Sequence, residues 1–243
     1  MSSVTENVAA LRARIMNAAA EAGRDGSAVR LVAATKMNGA DAVREAIAAG
    51  VDACGENRVQ EFTEKAAQDS YGVCPVHIIG HLQKNKVKYV VGKVALIESV
   101  DSLELMDAID RRAAALGVVQ DILLEVNIGG EASKSGVSEE ALPELLRAAA
   151  DFPHLRVLGL MAIPPAASKP GENCVYFNRM YQLFIDIRAK KYDNVLMTEL
   201  SMGMSGDFED AVRAGATMVR LGTAIFGPRN YDLQEAARNG SLR

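Results

Sequence analysis

Val29-Arg30-Leu31-Val32-Ala33-Ala34-Thr35-Lys36 reads as a buried strand that runs into a lysine. Its apolar run is nearly continuous, as a strand covered on both faces of a parallel sheet requires. Runs of the same length recur near 51–54, 76–79, 95–100, 121–127, 156–162, 195–200 and 217–221. Helical patterns separate them at 41–49, 56–68, 82–91, 102–116, 138–150, 173–190 and 207–214. Gly50, Gly117 and Gly215 each follow a helical run, where a left-handed cap is wanted. Eight strands with a helix between each successive pair predict an α/β protein, a single (β/α)8 barrel of the TIM type spanning 1–243. A doubly wound open sheet is the alternative. Ahead of the barrel, Ser3 and Glu6 form a capping box, and Val4, Val8, Leu11, Ile15 and Ala18 share one stripe of an extra N-terminal helix.

Composition narrows the function. Of the 243 residues, 49% are hydrophobic and 24% charged, which is ordinary for a globular chain. A net charge of -4 provides no general attraction to nucleic acid or anionic membrane. Aromatics are 5% and Trp is absent, so base-stacking platforms are not expected. The basic run Lys84-Asn85-Lys86-Val87-Lys88 reads as the wet face of a helix. No apolar stretch approaches the roughly 18 residues of a membrane span, and no secretory signal is visible. Three cysteines without CxxC spacing, and only three histidines, argue against a metal site or disulfide framework and point to a reducing cytoplasm.

Barrels of this kind carry their chemistry at the C-terminal ends of the strands. The residues expected there include Lys36, Glu56-Asn57-Arg58, His77 to His81, Glu98-Ser99, Asn127, Met161, Ser201 to Ser205 and Arg220 to Thr223. An amine held in partly apolar surroundings has a lowered pKa and can condense with an aldehyde; the plain alternative for Lys36 is a solvated lysine opening a loop. Ser201-Met202-Gly203-Met204-Ser205 runs straight into a helix, and Gly222-Thr223 precedes the short turn Ala224-Ile225-Phe226-Gly227. Both loops aim backbone N–H groups outward, at the usual phosphate position of such barrels. An amine facing a phosphate cradle points to a phosphorylated aldehyde, and pyridoxal 5′-phosphate (PLP) fits: an imine with Lys36, the phosphate on the Ser201 and Gly222 loops. Arg220 would reach the ring nitrogen, where a permanent cation keeps it unprotonated. Its alternative is a structural ion pair with Glu199 or another barrel carboxylate. A sugar phosphate held by Lys36 is a further possible ligand.

The segments Val32-Ala33-Ala34-Thr35-Lys36, Gly55-Glu56-Asn57-Arg58-Val59-Gln60-Glu61, His77-Ile78-Ile79-Gly80-His81-Leu82-Gln83-Lys84-Asn85-Lys86, Leu200-Ser201-Met202-Gly203-Met204-Ser205 and Val219-Arg220-Leu221-Gly222-Thr223 resemble the pyridoxal-phosphate homeostasis protein family, also described as alanine-racemase N-terminal-domain-like. Asn127 with Ser133-Lys134-Ser135-Gly136, and Gly159 to Pro164, extend the match over nearly the whole chain. The resemblance implies a fold type III PLP barrel with Lys36 as the Schiff-base lysine. Phosphate contacts would fall on Ser201, Gly222 and Thr223, Arg220 would face the pyridine nitrogen, and Asn57, His81 and Met202 complete the expected cofactor-binding set. Two departures stand out. Cys54 replaces an expected Phe and should alter packing beside the ring; Gly206 replaces an expected Asp, leaving Asp207 to open the helix.

Racemases of this fold carry a second, β-rich domain that supplies a catalytic tyrosine from a partner subunit. Only sixteen residues follow Gly227, too few for such a domain. Two-base racemisation needs an acid/base on each face of the α-carbon; His81 or Tyr231 could be named as the second, but each reads better as structural or solvated. The expectation is therefore a cytoplasmic, monomeric PLP-binding protein of vitamin B6 homeostasis, holding the cofactor and buffering or delivering it to PLP-dependent apo-enzymes. A weak racemase is the alternative. Lys134 is a candidate secondary amine for PLP.

Overall fold

The computed structural model describes residues 3–131 and 133–228. Eight parallel strands close into a barrel in sequence order: β1 (Arg30–Ala34), β2 (Ala53–Glu56), β3 (Val76–Ile78), β4 (Leu96–Val100), β5 (Gln120–Val126), β6 (Leu155–Ala162), β7 (Val195–Ser201) and β8 (Met218–Leu221). Closure joins β8 to β1 through the register Val32↔Arg220 and Ala33↔Leu221. The helices are α1 (Val4–Glu21), α2 (Ala40–Ala48), α3 (Val59–Ala67), α4 (Val87–Val90), α5 (Leu103–Leu116), α6 (Leu142–Ala148), α7 (Cys174–Lys190), α8 (Phe208–Ala214) and α9 (Thr223–Phe226).

Alternation along each strand divides the apolar residues into two cores. Leu31, Ala33, Cys54, Ile78, Ile97, Leu124, Leu160 and Val219 face outward and join the helices in one continuous cluster. Val32, Ala53, Leu96, Leu123, Met161 and Met218 fill the barrel's centre as a separate one. The expected capping box closes α1, with Glu6 N donating to Ser3 Oγ at 3.2 Å and Ser3 N to Glu6 Oε2 at 2.8 Å. Its stripe Val8, Leu11, Ile15 and Ala18 is buried.

The strand between 51 and 54 lies two residues later than its apolar run implies, because Glu56 ends β2 fully buried among polar partners. The expected helix at 82–91 is a 3-10 turn, Lys84–Lys86, followed by the single turn α4. The helix at 138–150 starts only at Leu142, with Pro143 in its first turn. Gly159 in β6 is obligatory: a Cβ there would lie 1.7 Å from Glu199 O on β7, at a register shift.

Candidate functional site

Above the barrel's apolar centre the inward positions turn polar. His77, Glu98, Glu125, Ser201 and Arg220 are all buried, and burial of charge is costly unless partners are supplied. Arg220 donates to Ser201 Oγ at 2.6 Å and to Ala162 O at 2.9 Å, and lies 3.8 Å from Glu98 Oε2. Ser201 in turn donates to Glu98 Oε2 at 2.6 Å, and His77 Nδ1 meets Glu98 Oε1 at 2.7 Å. Burial pushes the Glu98 carboxyl up, but the hydrogen bond and charge of His77, with Arg220 and Ser201, more than offset it and hold it below the usual range. Burial draws Arg220 down from its ordinary value against the pull of Glu98, Glu125 and Asp207. Glu125 is pushed up to about 7 by burial and by Asp101, with Arg220 opposing. Glu199, the carboxylate named on sequence as a structural partner for Arg220, pairs with Arg30 instead.

Lys36 sits half-buried two residues beyond β1, in the turn Thr35–Asn38. That turn is pinned from β2 and α3. Glu56 Oε1 accepts from Thr35 Oγ1 at 2.6 Å, from Lys65 Nζ at 2.6 Å and from Tyr71 OH at 3.0 Å. Lys65 also donates to Thr35 O at 2.7 Å, and Met37 N donates to Glu61 Oε2 at 2.7 Å. Met37 itself adopts a left-handed conformation, φ 63°. Sequence reading missed Lys65 and Tyr71 as positioning residues. Their one signal is that Lys65 continues the stripe Val59, Phe62 of α3, where all three are buried.

The phosphate-type corner lies beside this turn, because β8 pairs with β1. Ser205 Oγ accepts from Gly222 N at 3.3 Å and from Ala224 N at 3.2 Å, so two backbone amides at the start of α9 already converge on one oxygen. A Cβ on Gly222 would stand 3.5 Å from Ala34 O. Ser201, placed in this corner on sequence, instead spends its hydroxyl inside the barrel, and Met202 is fully buried beneath the loop. Thr223 opens α9. Asp207 is the N-cap residue of α8 rather than its first turn, and its carboxylate accepts from Met204 N at 2.7 Å and Asn173 Nδ2 at 2.8 Å.

Asn57 follows β2 with its Oδ1 buried and unpartnered, and Gly80 packs so close that a Cβ would come 2.6 Å from Asn57 O. His81 is exposed and lines, with Asn57, Arg58, Gln83 and Lys86, a depression of about 600 Å3. Lys134 donates to Pro164 O at 3.1 Å and pairs with Glu131. Cys54 corrects an expectation: it faces the outer core and touches Cys74, away from the barrel interior. Tyr231 lies outside the described residues. Among the described residues no group of metal-ligating side chains forms, and no helix is long and apolar enough to cross a membrane.

A lysine, a charged arginine and paired backbone amides at one mouth of a parallel barrel define a protein of the alanine-racemase barrel class. The family described as alanine racemase, N-terminal domain, matches residues 7–230. A pyridoxal phosphate homeostasis protein of Aquifex aeolicus is 43% identical over 226 residues, covering 93% of this chain and 98% of that one. The chain belongs to the pyridoxal phosphate homeostasis protein family. PipY of Synechococcus elongatus, solved with PLP bound, is 32% identical at a TM-score of 0.77, covering 93% of this chain and all of that one. An alanine racemase of Clostridium difficile shares the fold at a TM-score of 0.67 and 17% identity, with 93% of this chain matched to 58% of that one.

Proposed function

We propose that this protein binds PLP at the C-terminal mouth of its barrel, as a cytoplasmic and monomeric carrier or buffer of the cofactor. PLP supplies an electrophilic aldehyde, a pyridine ring and a dianionic phosphate, and the donor set suits all three. Lys36 provides the amine for the aldehyde. Gly222 and Ala224 amides, with the Ser205 hydroxyl and Thr223, provide the anion cradle. Arg220 faces the barrel interior for the ring nitrogen, and the unpartnered Asn57 Oδ1 adds an acceptor at the same mouth. His81 and Met202 border this set. The single observation that carries the reading is the two-amide convergence on Ser205 Oγ next to the turn of Lys36.

The family and the PLP-bound PipY structure support the cofactor. The polar network supports holding over turnover: Glu98, Ser201 and Arg220 satisfy one another and so orient rather than move protons. Delivery to apo-enzymes rests on the half-exposed mouth. In the test, PLP is added to purified protein, borohydride reduces the product, and peptides are mapped. The expected outcome is cofactor attached to the peptide containing Lys36, and no visible absorbance band with Lys36→Ala. Label on Lys134 or elsewhere alone, with Lys36 unmodified, would refute the assignment.

A further inference from the structure

We propose that Cys54 and Cys74 are a site of reversible oxidation, closed to an intramolecular disulfide by hydroperoxides. Their sulfurs stand 3.9 Å apart although twenty positions separate them in the chain. The backbone fixes that proximity: Cys54 N donates to Pro75 O at 2.9 Å, and Cys54 is in register with Val76. The two thiols are unequally reachable. Cys54 is fully buried, whereas Cys74 is half-exposed and lines an open depression of about 330 Å3 with Tyr71, Pro75 and Lys93. That is the arrangement of an attacking thiol beside a shielded resolving thiol.

Hydrogen bonding from Cys54 holds the Cys74 thiol below its ordinary value, while the same contact and burial push Cys54 up. Cys74, the thiol that a hydroperoxide can reach from the depression, is the nucleophile. Its thiolate attacks one oxygen of a hydroperoxide; the S–O bond forms, the O–O bond breaks, and the other oxygen leaves as alkoxide and is protonated to alcohol or water. The Cys54 sulfur then attacks the sulfenic sulfur. The S–S bond forms, the S–O bond breaks, and hydroxide leaves with the Cys54 proton as water. Two thiols lose two electrons, and the peroxide gains them. The sulfurs need to close from 3.9 Å to about 2.05 Å. The cross-link would tie the Tyr71–Cys74 turn to β2, and through Tyr71 to Glu56. Transient disulfides of this kind fit a reducing compartment, and the inference is independent of the cofactor reading.

The test treats the full-length protein with hydrogen peroxide, alkylates the remaining thiols, and maps tryptic peptides. The expected result is a linked pair of peptides 45–58 and 66–84, a fall from three alkylatable thiols to one, and full recovery with dithiothreitol. Cys174 is the internal control, its thiol raised by burial and by Asp210. A cross-link through Cys174, a disulfide only between molecules, sulfinic acid on Cys74 with Cys54 still free, or no change would each overturn the proposal. Cys54→Ala should let dimedone trap Cys74 sulfenic acid in at least about tenfold greater yield than in the wild type; equal yields would remove Cys54 as the resolving thiol. Cys74→Ser, altered at the half-exposed position, should leave Cys54 and Cys174 unoxidised, and a disulfide surviving it would also sink the idea.

Discussion

Ser201 and Ser205 lie four residues apart, and their hydroxyls make different contacts, Ser201 with Glu98 and Arg220 inside the barrel and Ser205 with the Gly222 and Ala224 amides. Ser205 Oγ accepts from the Gly222 and Ala224 amides, so if this corner holds the phosphate as proposed, Ser205→Ala should lose one hydrogen bond to a charged group, about 1.5–3 kcal/mol, or roughly 10- to 150-fold in PLP affinity. Ser201→Ala should act through Arg220 and Glu98 instead, lowering stability with a smaller change in affinity for inorganic phosphate as competitor. Absorbance titration of both variants checks the pair, and a larger affinity loss at Ser201 would reverse the assignment. Glu125 makes a second prediction at this scale. Its folded pKa of about 7 lies above the ordinary 4.5, so the folded state binds the proton more tightly than the unfolded chain. The stability this contributes is full below about pH 4.5 and is lost as pH rises through 7, about 3 kcal/mol in all. Glu125→Gln cannot ionise. The variant should gain on the wild type between pH 5 and pH 8 in denaturant unfolding, and a constant difference across that range would show that Glu125 titrates normally.

The element that matters most for the amine is the turn after β1, held from outside by α3. Lys65→Met would leave the Glu56 carboxylate buried beside Thr35 and Tyr71 without its cation, a loss of about 3–5 kcal/mol. Tyr71→Phe, which removes one of three donors to Glu56 Oε1, should cost less, about 1.5–3 kcal/mol. Thermal unfolding ranks the two, and equal small losses would mean that Glu56 is not a structural hub. The same turn shows what a sequence reveals. The eight strands were legible because nearly all are apolar runs covered on both faces, β7 being the exception with Leu196 and Thr198 exposed. Glu56 was not legible as strand, because a buried carboxylate is stabilised by Thr35, Lys65 and Tyr71 from three separate segments, and no local pattern encodes that. Pro143 carried a readable start for α6 that the apolar spacing of 138–150 overrode. The rim of Lys36, Arg220 and Gly222 was legible because parallel topology alone gathers strand ends. The inward turn of the Ser201 hydroxyl toward Glu98 and Arg220 was not, since it depends on which way the loop turns at Gly203, where φ is +93° and a Cβ would meet Ala211 at 2.6 Å.

At the scale of the whole molecule the question is whether this barrel turns amino acids over. Racemisation requires proton transfer on both faces of an α-carbon, each by a group within hydrogen-bond reach. Lys36 offers one amine at the mouth. Of the other ionisable groups described nearby, His77 is committed to Glu98 and Glu98 to Ser201 and Arg220, while His81 stands exposed beside Asn57 in the depression that follows β2 and β3. Glu125 is buried below the rim with Asp101 and Arg220 as its charged neighbours. On the proposed carrier reading, the described residues grip a phosphorylated aldehyde and none of them serves as a second base. PLP-loaded protein incubated with D- and L-amino acids in deuterated water should therefore exchange α-protons no faster than free PLP at equal concentration. Exchange that is faster than this control and selective for one enantiomer would establish a second proton-transfer group and make the protein an enzyme. With Glu125→Gln as companion, such exchange should persist if the group lies at the rim and vanish if the buried carboxyl supplies the proton.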